Sequence, residues 1–221
     1  MAIVINGSGT VTGLAVGGLP DGTVDAGTLA TDSVVAAKLG TDAVTADALK
    51  SDAITGADLP AGSILQVLSD GLTSTVSTTA LTSSDNWTDT GLSIAITPSA
   101  TSSKIIITGM INTGAGNSGD GMCILRLMRD STAIAIGDAA SARKRTFSGR
   151  GSQAQGDGTI LTLPVHWVDS PSTTSAVTYK VQFGARGTNS NTAYINRAGA
   201  DTDNTEYQRT ASSLSVMEVA G

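Results

Sequence analysis

The residue types that most often carry out catalysis are scarce in this sequence. It has one histidine, His166, and one cysteine, Cys123, so neither residue type can supply the pair needed for a zinc site. Asp169 and Ser170 follow His166 closely, but no G-x-S-x-G sequence places a serine nucleophile on a sharp turn. We therefore predict that the chain is not an enzyme, that it uses no cofactor or metal, and that His166 lies on a surface or interface.

The strongest candidate for ligand binding is a basic segment in the second half of the chain. Arg143, Lys144, Arg145 and Arg150 surround Phe147 within "SARKRTFSGRG". Arginine side chains can grip the phosphate or carboxylate groups of an anionic surface polymer, and an aromatic ring can stack on it. The alternative is a solvated loop, or cations that pair with acids of a neighbouring subunit.

An acidic stretch near the C-terminus offers a weaker signal for calcium. Asp201, Asp203 and Glu206 have alternating carboxylates, but the glycine and the twelfth-position glutamate of an EF-hand loop are missing. A polar turn explains this stretch better.

Composition narrows the class of protein further. Charged residues make up 14% of the chain against a usual value of about 25%, which argues against a coiled coil or a disordered polyelectrolyte. The net charge of −6 argues against nucleic-acid binding. Twenty-six glycines indicate β-structure with many turns. No run approaches the length of a membrane span, and "MAIVINGSGTVTGLAV" predicts no signal peptide.

The first sixty residues contain an internal repeat of ten residues. TDSVVAAKLG, TDAVTADALK and SDAITGADLP follow one another without gaps, and DGTVDAGTLA is a degenerate copy before them. Apolar residues therefore recur every five positions, a spacing that fits neither a straight helix nor a flat strand. Each unit must bend, and we expect Thr45 and Thr55 to begin a single helical turn that ends at Leu49 or Leu59.

This row of apolar side chains is too thin to form a core within one chain. We expect identical chains to gather around a rotational axis and bury it, forming a stalk. A single-chain solenoid is the alternative, and the inward aspartates that it would bury argue against it. The predicted axial residues are Val24, Leu29, Val34, Leu39, Val44, Leu49, Ile54 and Leu59.

After residue 62 the sequence changes to short β-type runs separated by turn residues. Two runs, "KIIITGMI" and "SSLSVMEV", are apolar on both faces, which suggests that their outer side meets another subunit. Nine or ten strands without a helical pattern favour an antiparallel β-sandwich, most simply a jelly roll. The predicted strands are 63–68, 92–97, 105–111, 122–128, 132–136, 161–167, 177–183, 193–197 and 213–219.

Several of these segments resemble one class of known proteins. "TDAVTADALK" and "SDAITGADL" resemble the decapeptide arrays of bacteriophage tail-fibre and virion fibre proteins. "GLSIAITPSATSSKIIITG", "DSPSTTSAVTYKVQFGARG" and "YINR…TASSLSVMEVA" are similar to the C-terminal domains of such proteins. The resemblance implies a homotrimer with an attachment segment over 1–20, a stalk over 21–62 and a TNF-like jelly-roll head over 63–221. Ile3, Val4 and Ile5 would dock on another virion protein.

These observations lead to one principal hypothesis and two alternatives. The principal hypothesis is a structural virion protein made in the host cytoplasm, a short trimeric fibre whose head adheres to host surface polysaccharide through many weak sites. The first alternative is a capsid decoration or cement protein that stabilises the shell without binding a receptor. An enzyme that degrades surface polysaccharide ranks third, because most acids lie in the repeats or turns.

Overall fold

The computed structural model describes residues 34–35, 39–41, 44–45, 54–79, 87–116, 122–150, 158–186 and 192–221. The chain divides into two compact units, Met1–Ala53 and Ile54–Gly221. Residues 54–60 of the last repeat thus belong to the same unit as the strands that follow them.

The second unit is built from antiparallel strands. Alternation of apolar and polar residues is the main reason, since it gives each long strand one face for the core and one for the outside. The strands are β1 Ile64–Leu72, β2 Val76–Thr79, β3 Thr88–Ile96, β4 Lys104–Ala115, β5 Met122–Arg129, β6 Thr132–Ile134, β7 Ser148–Arg150, β8 Ile160–Asp169, β9 Val177–Arg186, β10 Thr192–Ile195 and β11 Ser212–Val219.

The strands form two sheets, which we call sheet A and sheet B. In sheet A, β11 lies between β1 and β4, and β8 pairs with the other side of β4. The C-terminal end of β4 pairs with β10, which in turn pairs with β2. Sheet B has the order β3-β9-β5, with β6 and β7 both pairing with β5. The prediction of a mostly β chain with an antiparallel sandwich is confirmed.

The core lies between the sheets. Alternate residues of the long strands are buried there, with Ile105, Ile107 and Ile111 from sheet A facing Leu125, Tyr179 and Phe183 from sheet B in one cluster. Cys123 belongs to this cluster as a small apolar residue, and burial raises the pKa of its thiol to about 12.

A polar bridge ties the sheets together inside the sandwich. The hydroxyl of Tyr179 on β9 donates to Oδ2 of Asp169 on β8 over 2.7 Å, and Arg129 on β5 donates to both oxygens of the same carboxylate. Burial, followed by the hydrogen bond to Asp169, raises the pKa of Tyr179, so its hydroxyl stays protonated. Asp169 is therefore a structural residue that joins β8 to sheet B.

The last repeat docks on the sandwich through the turn predicted at Thr55. A single 3-10 turn spans Gly56–Asp58, and the Asp58 carboxylate accepts hydrogen bonds from the backbone nitrogen and the hydroxyl of Thr55. The predicted helical turn at this position is confirmed. Gly56 lies against Leu65 so closely that an added Cβ would approach its side chain to 3.2 Å.

All nine predicted strands are present, with ends that differ by a few residues. Two strands, β2 and β7, were not expected, because "VSTT" and "SGR" carry no alternating apolar pattern. Both become strands by pairing, β2 with β10 and β7 with β5. Within the residues that the structure describes, no helix is long and apolar enough to cross a membrane.

Candidate functional site

The outer face of sheet A carries a row of apolar side chains across four strands. In register, Val67 of β1 lies opposite Met217 of β11, Met217 opposite Ile106 of β4, and Ile106 opposite Val168 of β8. We call these four residues the apolar ladder. Val67 and Val168 at its ends are 56% and 48% exposed.

The rows beside the ladder are almost free of charge. Met110 in one of them is 59% exposed, the most of any apolar residue in these rows. His166 is exposed in another of these rows. It lies on the opposite face of β8 from Trp167, as the alternation along this strand predicts. Among the described residues of these rows Lys104 is the one charged side chain. The rows are Ile64–Val219–Lys104, Ser69–Ser215–Thr108–His166 and Gly71–Ser213–Met110–Pro164.

The outer face of sheet B has the opposite character. Asp89 accepts hydrogen bonds from Lys180 and Gln182, and Gln182 in turn accepts two from Arg126. Burial tends to raise the pKa of Asp89, but the bonds from Gln182 and Lys180 outweigh it and the pKa lies below its usual value. The outer faces of a sandwich are usually polar and charged, so the apolar ladder and the near absence of charge on the described outer face of sheet A are unusual.

A buried carboxylate braces the strands beneath the ladder. Glu218, next to Met217, is fully buried and accepts hydrogen bonds from Gln66, Ser103 and both the nitrogen and the hydroxyl of Ser99, all between 2.5 and 2.7 Å. Burial alone would raise the pKa of Glu218, yet these bonds hold it below its ordinary value of 4.5. The carboxylate thereby fixes β11 to β1 and to the 97–103 loop.

The predicted axial row is exposed wherever the structure describes it. Val34, Leu39, Val44, Ile54 and Leu59 have exposed fractions between 39 and 56%. The five-residue spacing also reaches Ile64, which lies in the outer face of sheet A opposite Val219. The other predicted axial residues, Val24, Leu29 and Leu49, and the predicted attachment residues Ile3, Val4 and Ile5 lie outside the described residues.

The structure divides the predicted basic cluster. Arg143, Lys144 and Arg145 line one cleft together with Trp87 and Arg126, two residues that the sequence analysis did not group with them.

Arg150 lies apart from that cleft. It is on β7, where it pairs with Cys123 of β5, and burial lowers the pKa of its guanidinium. Its Nε is buried and has no hydrogen-bond partner among the residues that the structure describes.

In the acidic stretch near the C-terminus, Asp201 is paired with nearby arginines. Arg197 lies 3.8 Å from the centre of the Tyr194 ring and forms an ion pair with Asp201, which also binds Arg209. Hydrogen bonding from Arg209 lowers the pKa of Asp201, although burial opposes this. In the part of the chain that the structure describes, no group of acidic, histidine or cysteine side chains could hold a metal ion.

Comparison with known proteins gives only distant similarity. No protein-family model and no curated protein matches the chain. A chain from the structure of the infectious bursal disease virus Gx strain is similar at a TM-score of 0.39 and 12% identity, over 70% of this chain and 40% of that one. A chain from T=1 particles derived from infectious bursal virus has a TM-score of 0.34, 12% identity and the same two coverages. This chain thus spans about two fifths of the length of those it matches.

Proposed function

We propose that this chain is a structural protein of a bacteriophage virion, a short homotrimeric fibre with a jelly-roll head. Its stalk is the repeat segment, and Ile3, Val4 and Ile5 dock it on another virion protein. The head displays three copies of a weak site for host surface polysaccharide, and many fibres per particle raise the effective concentration of these sites. The proposal assigns the chain no catalytic activity, cofactor or metal.

The observation that carries this proposal is the apolar ladder on the outer face of sheet A. It places four apolar side chains side by side, and the described residues of the adjoining rows add one charge. Identical copies packed around a rotational axis would cover this surface with surface of a neighbouring copy.

The repeat segment supports the same assembly. Ile54 and Leu59 of its apolar row are exposed and belong to the same unit as the strands, and the same spacing reaches Ile64 on the outer face of sheet A. One rotational axis would therefore cover these residues and the face together. This continuity favours a stalk shared by several chains over a solenoid formed by one.

The order of the strands supports a jelly-roll head. The four long strands of sheet A are β1, β11, β4 and β8, while β3, β9, β5 and the short β6 form sheet B. Apart from the added strands β2, β7 and β10, and the β5–β6 hairpin, the chain crosses from one sheet to the other at each step. Two interlocked Greek keys produce this order.

The solution mass of the full-length chain tests the proposal. Light scattering should give three times the chain mass of 22.1 kDa at micromolar concentrations. The expected reason is that burial of the ladder and the row stabilises the trimer by roughly 25 cal/mol for each Å² of apolar surface removed from water. A mass of 22.1 kDa at all concentrations would overturn the proposal.

A further inference from the structure

The cleft beside Trp87 has the composition of an anion-binding site. It has a volume of about 320 Å³, near the lower end of the usual range for small-ligand sites. Four of its lining residues are cations, Arg126, Arg143, Lys144 and Arg145, and no carboxylate belongs to the described lining. Although the net charge of the chain is −6, positive charge is concentrated in this cleft. The concave shape of a cleft strengthens the electrostatic potential of the charges that line it.

The cleft is held in shape by specific bonds. The Nε of Arg145 donates to the carbonyl oxygen of Gly137 over 2.6 Å, and the backbone nitrogen of Arg143 donates to the carbonyl oxygen of Ala140. Ser141, which lies between Ala140 and Arg143, has a φ of +52°, a backbone conformation that residues other than glycine rarely adopt. Strained backbone of this kind persists where the surroundings fix it, and it is frequent at binding sites.

The apolar part of the lining is suited to a ring. Trp87 is covered on one side by the guanidinium of Arg126, 4.5 Å from the ring centre. Its indole Nε1 is buried and, among the described residues, donates to no acceptor. Ala133, Ile136 and Ala142 complete the wall with small apolar surface. A ligand with a flat apolar face and a negative charge would match the ring and the cations of the lining.

The cleft also lies on the side of the head that assembly leaves open. Arg126 alternates with the buried Leu125 and Leu127 on β5, so it points to the outer face of sheet B. The outer faces of two packed sheets point in opposite directions. A trimer that buries the outer face of sheet A therefore leaves the cleft accessible on each of its three subunits.

We propose that this cleft binds one acidic sugar unit of a host polysaccharide, with its carboxylate or sulfate on the arginines and its ring against Trp87. The proposal rests on the fibre function, because it names the substrate class of the adhesive head. Of the basic residues predicted from the sequence, Arg143, Lys144 and Arg145 form the site, and Arg150 does not. Trp87 and Arg126 complete it.

Tryptophan fluorescence offers a direct test. The chain has two tryptophans, so a Trp167→Phe background leaves Trp87 as the sole emitter. Oligogalacturonate and a sulfated galactan oligomer, titrated at low salt into the full-length protein, are the acidic probes, and a neutral galactose oligomer of equal length is the comparison. We expect a saturable change in emission with at least one acidic probe and none with the neutral one.

Two single substitutions distinguish binding at this cleft from nonspecific attraction to positive charge. Arg143→Ala should weaken binding roughly tenfold or more, since a charge-assisted hydrogen bond is lost, while Arg209→Ala, an exposed arginine elsewhere on the head, should leave it unchanged. No response to either acidic probe, an equal response to the neutral oligomer, or an unaffected Arg143→Ala would overturn the assignment.

The oligomeric mass distinguishes this proposal from the fibre function. If the protein has the mass of a trimer but binds neither acidic probe, the sugar-binding proposal is wrong and the fibre proposal stands. If Arg143→Ala instead reduces the mass of the assembly, the cleft holds acids of a neighbouring subunit and the sugar assignment is wrong.

Discussion

Replacing Val67 by Asp should convert the proposed trimer into single chains. Val67 is half exposed in the isolated chain, so the fold itself should tolerate the aspartate. In the proposed trimer the same side chain would lie against a neighbour, and an unpaired charge buried there costs about 3 kcal/mol or more. That cost corresponds to a loss of roughly a hundredfold or more in association for each interface. Light scattering at a series of concentrations measures the change.

The matched control is the same substitution on the opposite side of the sandwich. Ala95 is exposed on the outer face of β3 in sheet B, where Ala95→Asp should leave both mass and melting temperature close to those of the parent. If Val67→Asp assembles like the parent, the outer face of sheet A is not the contact surface. If both variants dissociate, the effect is one of net charge and not of the ladder.

Replacing Glu218 by Gln should lower the free energy of unfolding at neutral pH by about 2 kcal/mol or more. Glutamine keeps the shape of the side chain, but it removes the negative charge that four hydrogen bonds from Gln66, Ser99 and Ser103 stabilise. Its NH₂ group also replaces one of the two acceptors. Urea unfolding of the parent and the variant measures the difference.

The same pair of proteins should differ in their response to acid. The pKa of Glu218 is lower in the folded state than its ordinary value of 4.5, so its charge stabilises the fold at every pH above 4.5. This contribution is lost as the pH falls through the lower, folded value, and the stabilities of parent and variant should converge there. Glu206→Gln, which changes an exposed carboxylate, serves as the control. A difference between parent and Glu218→Gln that stays constant from pH 7 to pH 3 would contradict this role.

The sandwich could be predicted because its strands obey a local rule. Alternation at Leu92, Ile94 and Ile96, and again along β9, assigns the inner face directly, and the structure places these residues in the core. "KIIITGMI" and "SSLSVMEV" broke that rule by being apolar on both faces. They proved to be β4 and β11, the two neighbouring central strands whose outer residues Ile106 and Met217 form the middle of the ladder.

The cleft could be predicted only in part, because it is assembled over long distances in the chain. Arg143, Lys144 and Arg145 are adjacent in sequence and form a visible cluster, whereas Trp87 and Arg126 come from separate segments that the fold brings beside them. Arg150 belonged to the same sequence cluster, but the pairing of β7 with β5 turns it towards Cys123 instead. Proximity in the sequence therefore included Arg150, which does not line the cleft, and missed Trp87 and Arg126, which do.

The accessibility of a single introduced thiol tests the central claim most directly. Cys123 is fully buried, with its thiol pKa raised to about 12, so a cysteine placed on the surface would be the one reactive thiol of each chain. Met110→Cys on the outer face of sheet A and Ala95→Cys on that of sheet B are both exposed in the isolated chain. If copies pack through sheet A, the thiol at position 110 should react with a maleimide roughly tenfold or more slowly than the thiol at position 95, and the two rates should become equal on dilution to single chains. Equal rates in the assembled protein would contradict the account.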